Sequence, residues 1–291
     1  MWLLLAFLSA TLLGFYDVFK KKSLKDNAVL PVLFLNTLFS SLIFLPFILL
    51  SAFVPGVLEG TMFDVPVVGW EVHKFIIIKS FIVLSSWILG YFGMKHLPIT
   101  IVGPINATRP VMVLVGAMLV FGERLNLYQW IGVVSFFMLS RSGKKEGIDF
   151  KHNKWILFIV LAAVAGAVSG LYDKYLMKQL PPMVVQSWYN VYQVFIMCPI
   201  LALLWWPKRK SSTPFRWDWA IIFISIFLCA ADFVYFYALS YEDSMISIVS
   251  MVRRGSVIVS FLFGAMMFRE KNLKSKAIDL ILVLIGMIFL Y

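Results

Sequence analysis

Arg109, Arg253 and Arg254 stand inside runs otherwise apolar enough to cross a membrane. Their planar, permanently charged forks suit a carboxylate or a phosphate. Counted from the edges of those runs, they lie roughly 12 to 15 Å deep, close to the midplane of a hydrocarbon core about 30 Å thick. Charge at that depth is costly and faces a bundle interior or a wet cavity. Neighbours on a helix point about 100° apart, so one of Arg253 and Arg254 lines such a cavity while the other anchors a neighbouring helix. Asn106 is one turn from Arg109, and Ser247 and Ser250 share a face with Arg254. Gln186, Asn190 and Gln193 recur at helical spacing as an amide stripe, with Asn36 a candidate to join it. The plain alternative for these amides is hydrogen bonding between helices. Among the aromatic residues only Trp188, between Gln186 and Asn190, is read as lining; Trp87, Tyr189, Tyr192 and Tyr235 read as core or interface.

The remaining charges within or at the ends of these runs have humbler readings. Lys79 has two, snorkelling to the interface or pairing with Asp232 at a similar depth. Tyr16-Asp17 and Tyr172-Asp173 read as solvated ends of their helices, with gating as the alternative. Glu123 and Glu270 read as helix-terminal residues near Arg124 and Lys271, and Asp279 carries no assignment. Cys198 and Cys229 fall within apolar runs, and His73, His96 and His152 show no metal-ligand spacing. With no nucleotide-binding loop and no nucleophile-base set, the chain reads as neither an enzyme nor an ATP-driven pump. No cofactor or metal is expected.

These residues must be held by membrane helices. Of 291 residues 61% are hydrophobic and 14% charged, with a mean hydropathy of +0.89. A bilayer asks for that much apolar surface and a soluble domain cannot hide it. The net charge of +11 sits in short clusters between apolar runs, the pattern of membrane-face loops rather than of a nucleic-acid binder. Runs of spanning length predict ten helices, at 2–19, 30–52, 73–94, 99–121, 126–142, 154–177, 182–206, 217–240, 245–268 and 273–291. The first is read as a retained helix, since no basic segment precedes it.

The charged stretch GKKEGIDFKHN falls at the midpoint, and the chain repeats across it. Gly14-Phe15-Tyr16-Asp17 reappears as Gly170-Leu171-Tyr172-Asp173, and GAM at 116–118 returns at 264–266, each time followed by a lone glutamate. The expected organisation is a five-helix unit at 1–143, a linker at 144–153 and a second unit at 154–291. Because five is odd, the units must lie inverted in the membrane.

MKHLPITIVGPINATRPVMVLVGAMLVFGERLNLYQWIG resembles the end of the EamA-type repeat of the drug/metabolite transporter superfamily. YALSYEDSMISIVSMVRRGSVIVSFLFGAMMFREKNLKSKAID repeats that layout, with Arg254-Gly255 standing where the first copy has Arg109-Pro110. The resemblance implies an all-α secondary transporter whose fifth and tenth helices are peripheral. It is similar to the sugar-phosphate translocator branch, which holds phosphate with basic residues of its fourth and ninth helices, where Arg109 and the Arg253-Arg254 pair fall. Three guanidiniums with at most Asp232, and Asp17 or Asp173, to neutralise them make the empty cavity electropositive. The expected substrate is therefore a small phosphorylated or carboxylated metabolite. Amino-acid or drug export by the same superfamily, and a membrane-embedded enzyme acting on a lipid phosphate, are the competing readings. Loops after the odd-numbered spans carry 18 of the 26 lysines and arginines. That bias predicts a bacterial inner (plasma) membrane protein with both termini outside.

Overall fold

A computed structural model describes residues 1–54, 56–96, 109–122, 124, 154–256, 259 and 263. The predicted fifth and tenth spans, Asn106, Glu123, Glu270 and Asp279 lie outside the described residues, as does most of the ninth span beyond its first half. Among the described residues all regular structure is helical: α1 (Trp2–Leu24), α2 (Val29–Phe53), α3 (Trp70–His96), α4 (Arg109–Phe121), α5 (Lys154–Met177), α6 (Pro182–Ile200), α7 (Ala220–Ser240) and α8 (Ile246–Arg254). Six of these segments are long and apolar enough to cross a membrane, α6 together with its continuation to Lys208. Leu4, Leu8, Phe53, Phe81, Leu119, Leu157 and Phe195 are exposed on the helix surfaces, where lipid rather than water is the solvent.

Polar ties show the relative directions of four helices, α1, α3, α5 and α7. At one end of α1 the Trp2 indole donates to Asp243, midway Ser9 donates to the Ala231 carbonyl, and beyond its other end Asn27 holds Arg216. α1 therefore runs antiparallel to α7. Asn27 makes that junction rigid: its amide donates to the Arg216 carbonyl at 2.7 Å, while its side-chain oxygen accepts from the Arg216 and Ala28 backbone N–H groups. α3 is antiparallel to α5, through Tyr172 donating to the Phe75 carbonyl, Ser86 to the Ala162 carbonyl, and His96 stacked on Trp155. α5 and α7 run the same way, since Asp173 meets Tyr235 and Lys174 meets Leu239. α1 and α5 consequently point in opposite directions.

Helix partners interleave the two halves of the chain. α1 packs on α7, α3 on α5, α2 on α6, and α4 on α8. Small residues make the closest approaches possible, as in membrane bundles generally. A Cβ at Gly14 would meet the Ser256 carbonyl oxygen at 2.8 Å, so α1 passes against the chain just after α8 with no room for a side chain.

Candidate functional site

Five helices bring a closed circuit of side chains together. The Lys79 ammonium on α3 donates to Asp173 on α5, whose other oxygen accepts from the Tyr235 hydroxyl of α7 at 3.3 Å. The Arg253 guanidinium of α8 lies 4.0 Å from the Tyr235 ring centroid and donates to Asp232 Oδ1 at 2.7 Å. Asp232 Oδ2 accepts from the Tyr189 hydroxyl of α6 at 3.3 Å, and the Tyr189 and Phe236 rings flank the Lys79 ammonium at 4.8 and 4.7 Å. Cations thus alternate with carboxylates, and aromatic faces and hydroxyls fill the gaps, a satisfied arrangement for charge in a low-dielectric interior.

Several expectations change here. Lys79 neither snorkels nor pairs with Asp232; it is buried and holds Asp173, because α5 rather than α7 packs along its face of α3. Asp173 is correspondingly a buried ion-pair member and no solvated helix end, and Asp232 belongs to Arg253. α3 also begins three residues earlier than expected, which puts Lys79 roughly 14 Å along it, beyond easy snorkelling. Tyr189 and Tyr235, read from sequence as ordinary aromatics, are structural members of the circuit. The available signal was Tyr235 at i+3 from Asp232, which points the two to one side of a helix.

Arg109 stands at the described start of α4 and donates to the Gly166 carbonyl of α5. The guanidinium lies directly over Gly166, where a Cβ would meet it at 2.5 Å and push it aside. Tyr235, Arg253, Asp173 and Asp232 are its electrostatic neighbours, while those of Arg254 include Arg109, Arg253 and Asp17. The three arginines are thus within one another's electrostatic reach. Among the described residues Arg253 alone of the three has a carboxylate within ion-pair distance. Arg109, Arg253, Arg254 and Ser250 all keep partial exposure in an otherwise closed interior.

α1 brings a second, smaller cluster. The Tyr16 hydroxyl meets that of Tyr91 at 3.1 Å, and the Lys20 ammonium sits 4.1 Å from the Tyr91 ring centroid. Asp17 faces Lys20 and Arg254 and accepts from Ser256. α1 continues to Leu24, so Tyr16-Asp17 lies two turns inside rather than at a helix end. Tyr16 meets α3 at Tyr91 and Tyr172 meets it at Phe75, about 24 Å apart along the helix. Lys174 is buried and caps the end of α7 by donating to the Leu239 and Tyr241 carbonyls and to Ser244.

The amide stripe is buried between α6, α2 and α7. Gln186 donates to the Cys229 carbonyl at 2.8 Å, Asn190 to the Gln186 carbonyl, and Asn36 Oδ1 accepts from Ser225. Among the described residues both amide atoms of Gln193, Gln186 Oε1 and Asn36 Nδ2 have no hydrogen-bond partner. Trp188 points elsewhere: it packs edge-on against His73 at 4.7 Å and beside Tyr192, in an aromatic group at the start of α3. Two positions on from Gln186 is 200° around a helix, which turns that indole away from the amides.

Comparisons with known proteins agree with this architecture. A solved crystal structure with 15% sequence identity superposes with a TM-score of 0.72, covering 98% of this chain and 94% of that one, a likeness of fold. An uncharacterized transporter of Archaeoglobus fulgidus is 24% identical over 276 residues, covering 92% of this chain and 90% of that protein. Residues 1–138 and 153–291 each match the EamA-like transporter family. Matched over nearly its whole length by a family of membrane transporters, with apolar spanning helices around a charged interior, this chain belongs to the EamA-like transporter family and is a transporter of small molecules, not an enzyme.

Proposed function

We propose that the protein is a secondary transporter that moves a small anionic metabolite, phosphorylated or carboxylated, by alternating access of two inverted five-helix repeats at 1–143 and 154–291. The charge imbalance around the arginines carries this reading. Among the described residues Lys79, Arg109, Arg253 and Arg254 face two carboxylates, Asp173 and Asp232, and adding Lys20 and Asp17 leaves the excess at two. In a low-dielectric interior that excess favours an anion, and Arg109 and Arg254 have forks to offer it. Asn106, outside the described residues, and Ser250, Gln186, Asn190, Gln193 and Asn36 belong to the proposed lining; the unpartnered amide atoms are free to bond an uncharged part of the solute. Trp188 is left out of that lining by its contacts with His73 and Tyr192.

The inverted repeat is supported by the opposed directions of α1 and α5. It is supported too by the partner pattern, which returns to itself when α1, α2, α3 and α4 are exchanged with α5, α6, α7 and α8. A five-helix unit duplicated in this way rocks about a site at its centre. Purified protein is expected to be stabilised against heat by phosphate esters or carboxylates, because a ligand of the native state alone raises its apparent stability. The stabilising solute is expected to accumulate unmodified in proteoliposomes. Stabilisation by lipophilic cations, with none from anions, overturns the reading.

Lys20 to Lys25, Lys208 to Arg216 and the Lys154 end of α5 lie at one end of the bundle, tied by Asn27 to Arg216 and by His96 to Trp155. We take that basic end as cytoplasmic, with both termini outside. Cysteines introduced at Ser211 and Gly60 test it: an impermeant thiol reagent added outside cells is expected to label position 60, and labelling of position 211 reverses the orientation.

A further inference from the structure

The two buried ion pairs differ in kind. Lys79 and Asp173 have side chains only 3% and 8% exposed, and the lysine is also sandwiched between two aromatic rings. That pair has no face left for a solute. The Arg253 side chain is 17% exposed, and it is an electrostatic neighbour of Arg109, whose helix packs on its own, and of Arg254. It touches Asp232 through one nitrogen, Nη2, while its Nε has no partner among the described residues. A single N–H contact is the weaker way to bind a carboxylate; a planar guanidinium is best satisfied by two parallel bonds. Asp232, for its part, has a second holder in Tyr189, independent of the arginine.

From this geometry we infer that Asp232 is a built-in stand-in for the substrate: it occupies Arg253 in the empty carrier, and the anionic group of the solute displaces it, leaving its carboxylate held by Tyr189. This rests on the anionic-substrate reading and deepens it. The exchange forms and breaks only hydrogen bonds. A solute anion gains a two-pronged contact on Arg253 with Arg109 and Arg254 beside it, and Asp232 retreats by losing one contact out of two. Asp232 thereby sets how strongly an anion must bind before the site accepts it. A monoanion with a poor fork geometry does not repay the exchange, whereas a phosphate or a well-placed carboxylate does. Lys79 and Asp173 keep their direct ion pair throughout, because neither bonds to Arg253 or to Asp232.

The experiment uses full-length purified protein with inorganic phosphate and succinate as probes, reading the concentration that gives half-maximal thermal stabilisation. Asp232→Asn removes the competing charge but can still accept from Tyr189, so that concentration is expected to fall about tenfold for the anion that binds, the scale of one charge-assisted hydrogen bond. Asp232→Glu, which keeps the competitor, is expected to stay near wild type. Tyr189→Phe is expected to shift binding the opposite way, weakening it several-fold, because the displaced carboxylate loses its holder. A purely structural Asp232 does not produce opposite signs at these two positions. Unchanged or weaker binding in Asp232→Asn overturns the inference while leaving the anionic-substrate reading intact. If Asp232→Asn does not fold, Tyr189→Phe decides, and wild-type affinity in that variant overturns the inference. Failure of both anions to stabilise the wild-type protein refutes the underlying reading and this inference with it.

Discussion

Lys79→Met is expected to destabilise the folded protein by about 3–5 kcal/mol, the cost of leaving one partner of a buried pair uncompensated. The lysine is 2% exposed, and its removal leaves Asp173 with the Tyr235 hydroxyl as its one remaining contact among the described residues. A carboxylate whose side chain is only 8% exposed there loses its one ion-pair partner among the described residues, and it sits at the α3–α5 seam, so the damage extends to helix packing. Adding Asp173→Leu to Lys79→Met removes the orphaned charge and is expected to restore most of the stability, since apolar replacement of a whole buried pair is often nearly neutral. Thermal unfolding of the two variants in detergent checks this. A Lys79→Met protein as stable as wild type shows that the pair does not hold the bundle.

Arg109→Ala and Arg254→Ala are expected to behave in the opposite way, keeping the fold and losing transport by about 100-fold or more, the range for truncating a charge that contacts a ligand. Arg109 contributes a bond to the Gly166 carbonyl, which already sits within the α5 helix, so its loss costs on the order of 1–3 kcal/mol. Arg254 has no ion-pair partner among the described residues, and removing it relieves repulsion with Arg109 and Arg253. Lysine at either position keeps the charge without the fork and is expected to recover only part of the activity. Size-exclusion profiles and solute uptake into liposomes report the two properties separately. Aggregation with loss of expression in both alanine variants identifies the arginines as structural ties.

The contrast between these two experiments follows from something no single span reveals. Lys79 and Arg109 look alike in sequence, each a lone cation in an apolar run. Lys79 meets a carboxylate across a helix seam, whereas Arg109 meets a backbone carbonyl at a glycine. Their expected effects on stability differ for that reason.

What the sequence determined by itself was the solvent and everything that solvent dictates. Hydropathy marks the spans because a backbone in lipid must satisfy its own hydrogen bonds, leaving long apolar helices as the form available here. All described spanning segments fall where apolar runs predict them, with ends shifted by a few residues. Family membership was legible from the repeated layout around the two GAM motifs, and so was the common depth of Arg109, Arg253 and Arg254 within their apolar runs. Depth is a count of residues at 1.5 Å each, so a linear text contains it. Azimuth and neighbour identity are not counts. Which way Trp188 turns, that Lys79 takes Asp173 instead of Asp232, and that Tyr189 and Tyr235 close a circuit were decided by which helix packs against which. That choice comes from contacts between residues as far apart as Lys79 and Asp173, or Trp2 and Asp243, and from close approaches such as that of Gly14 to the Ser256 carbonyl.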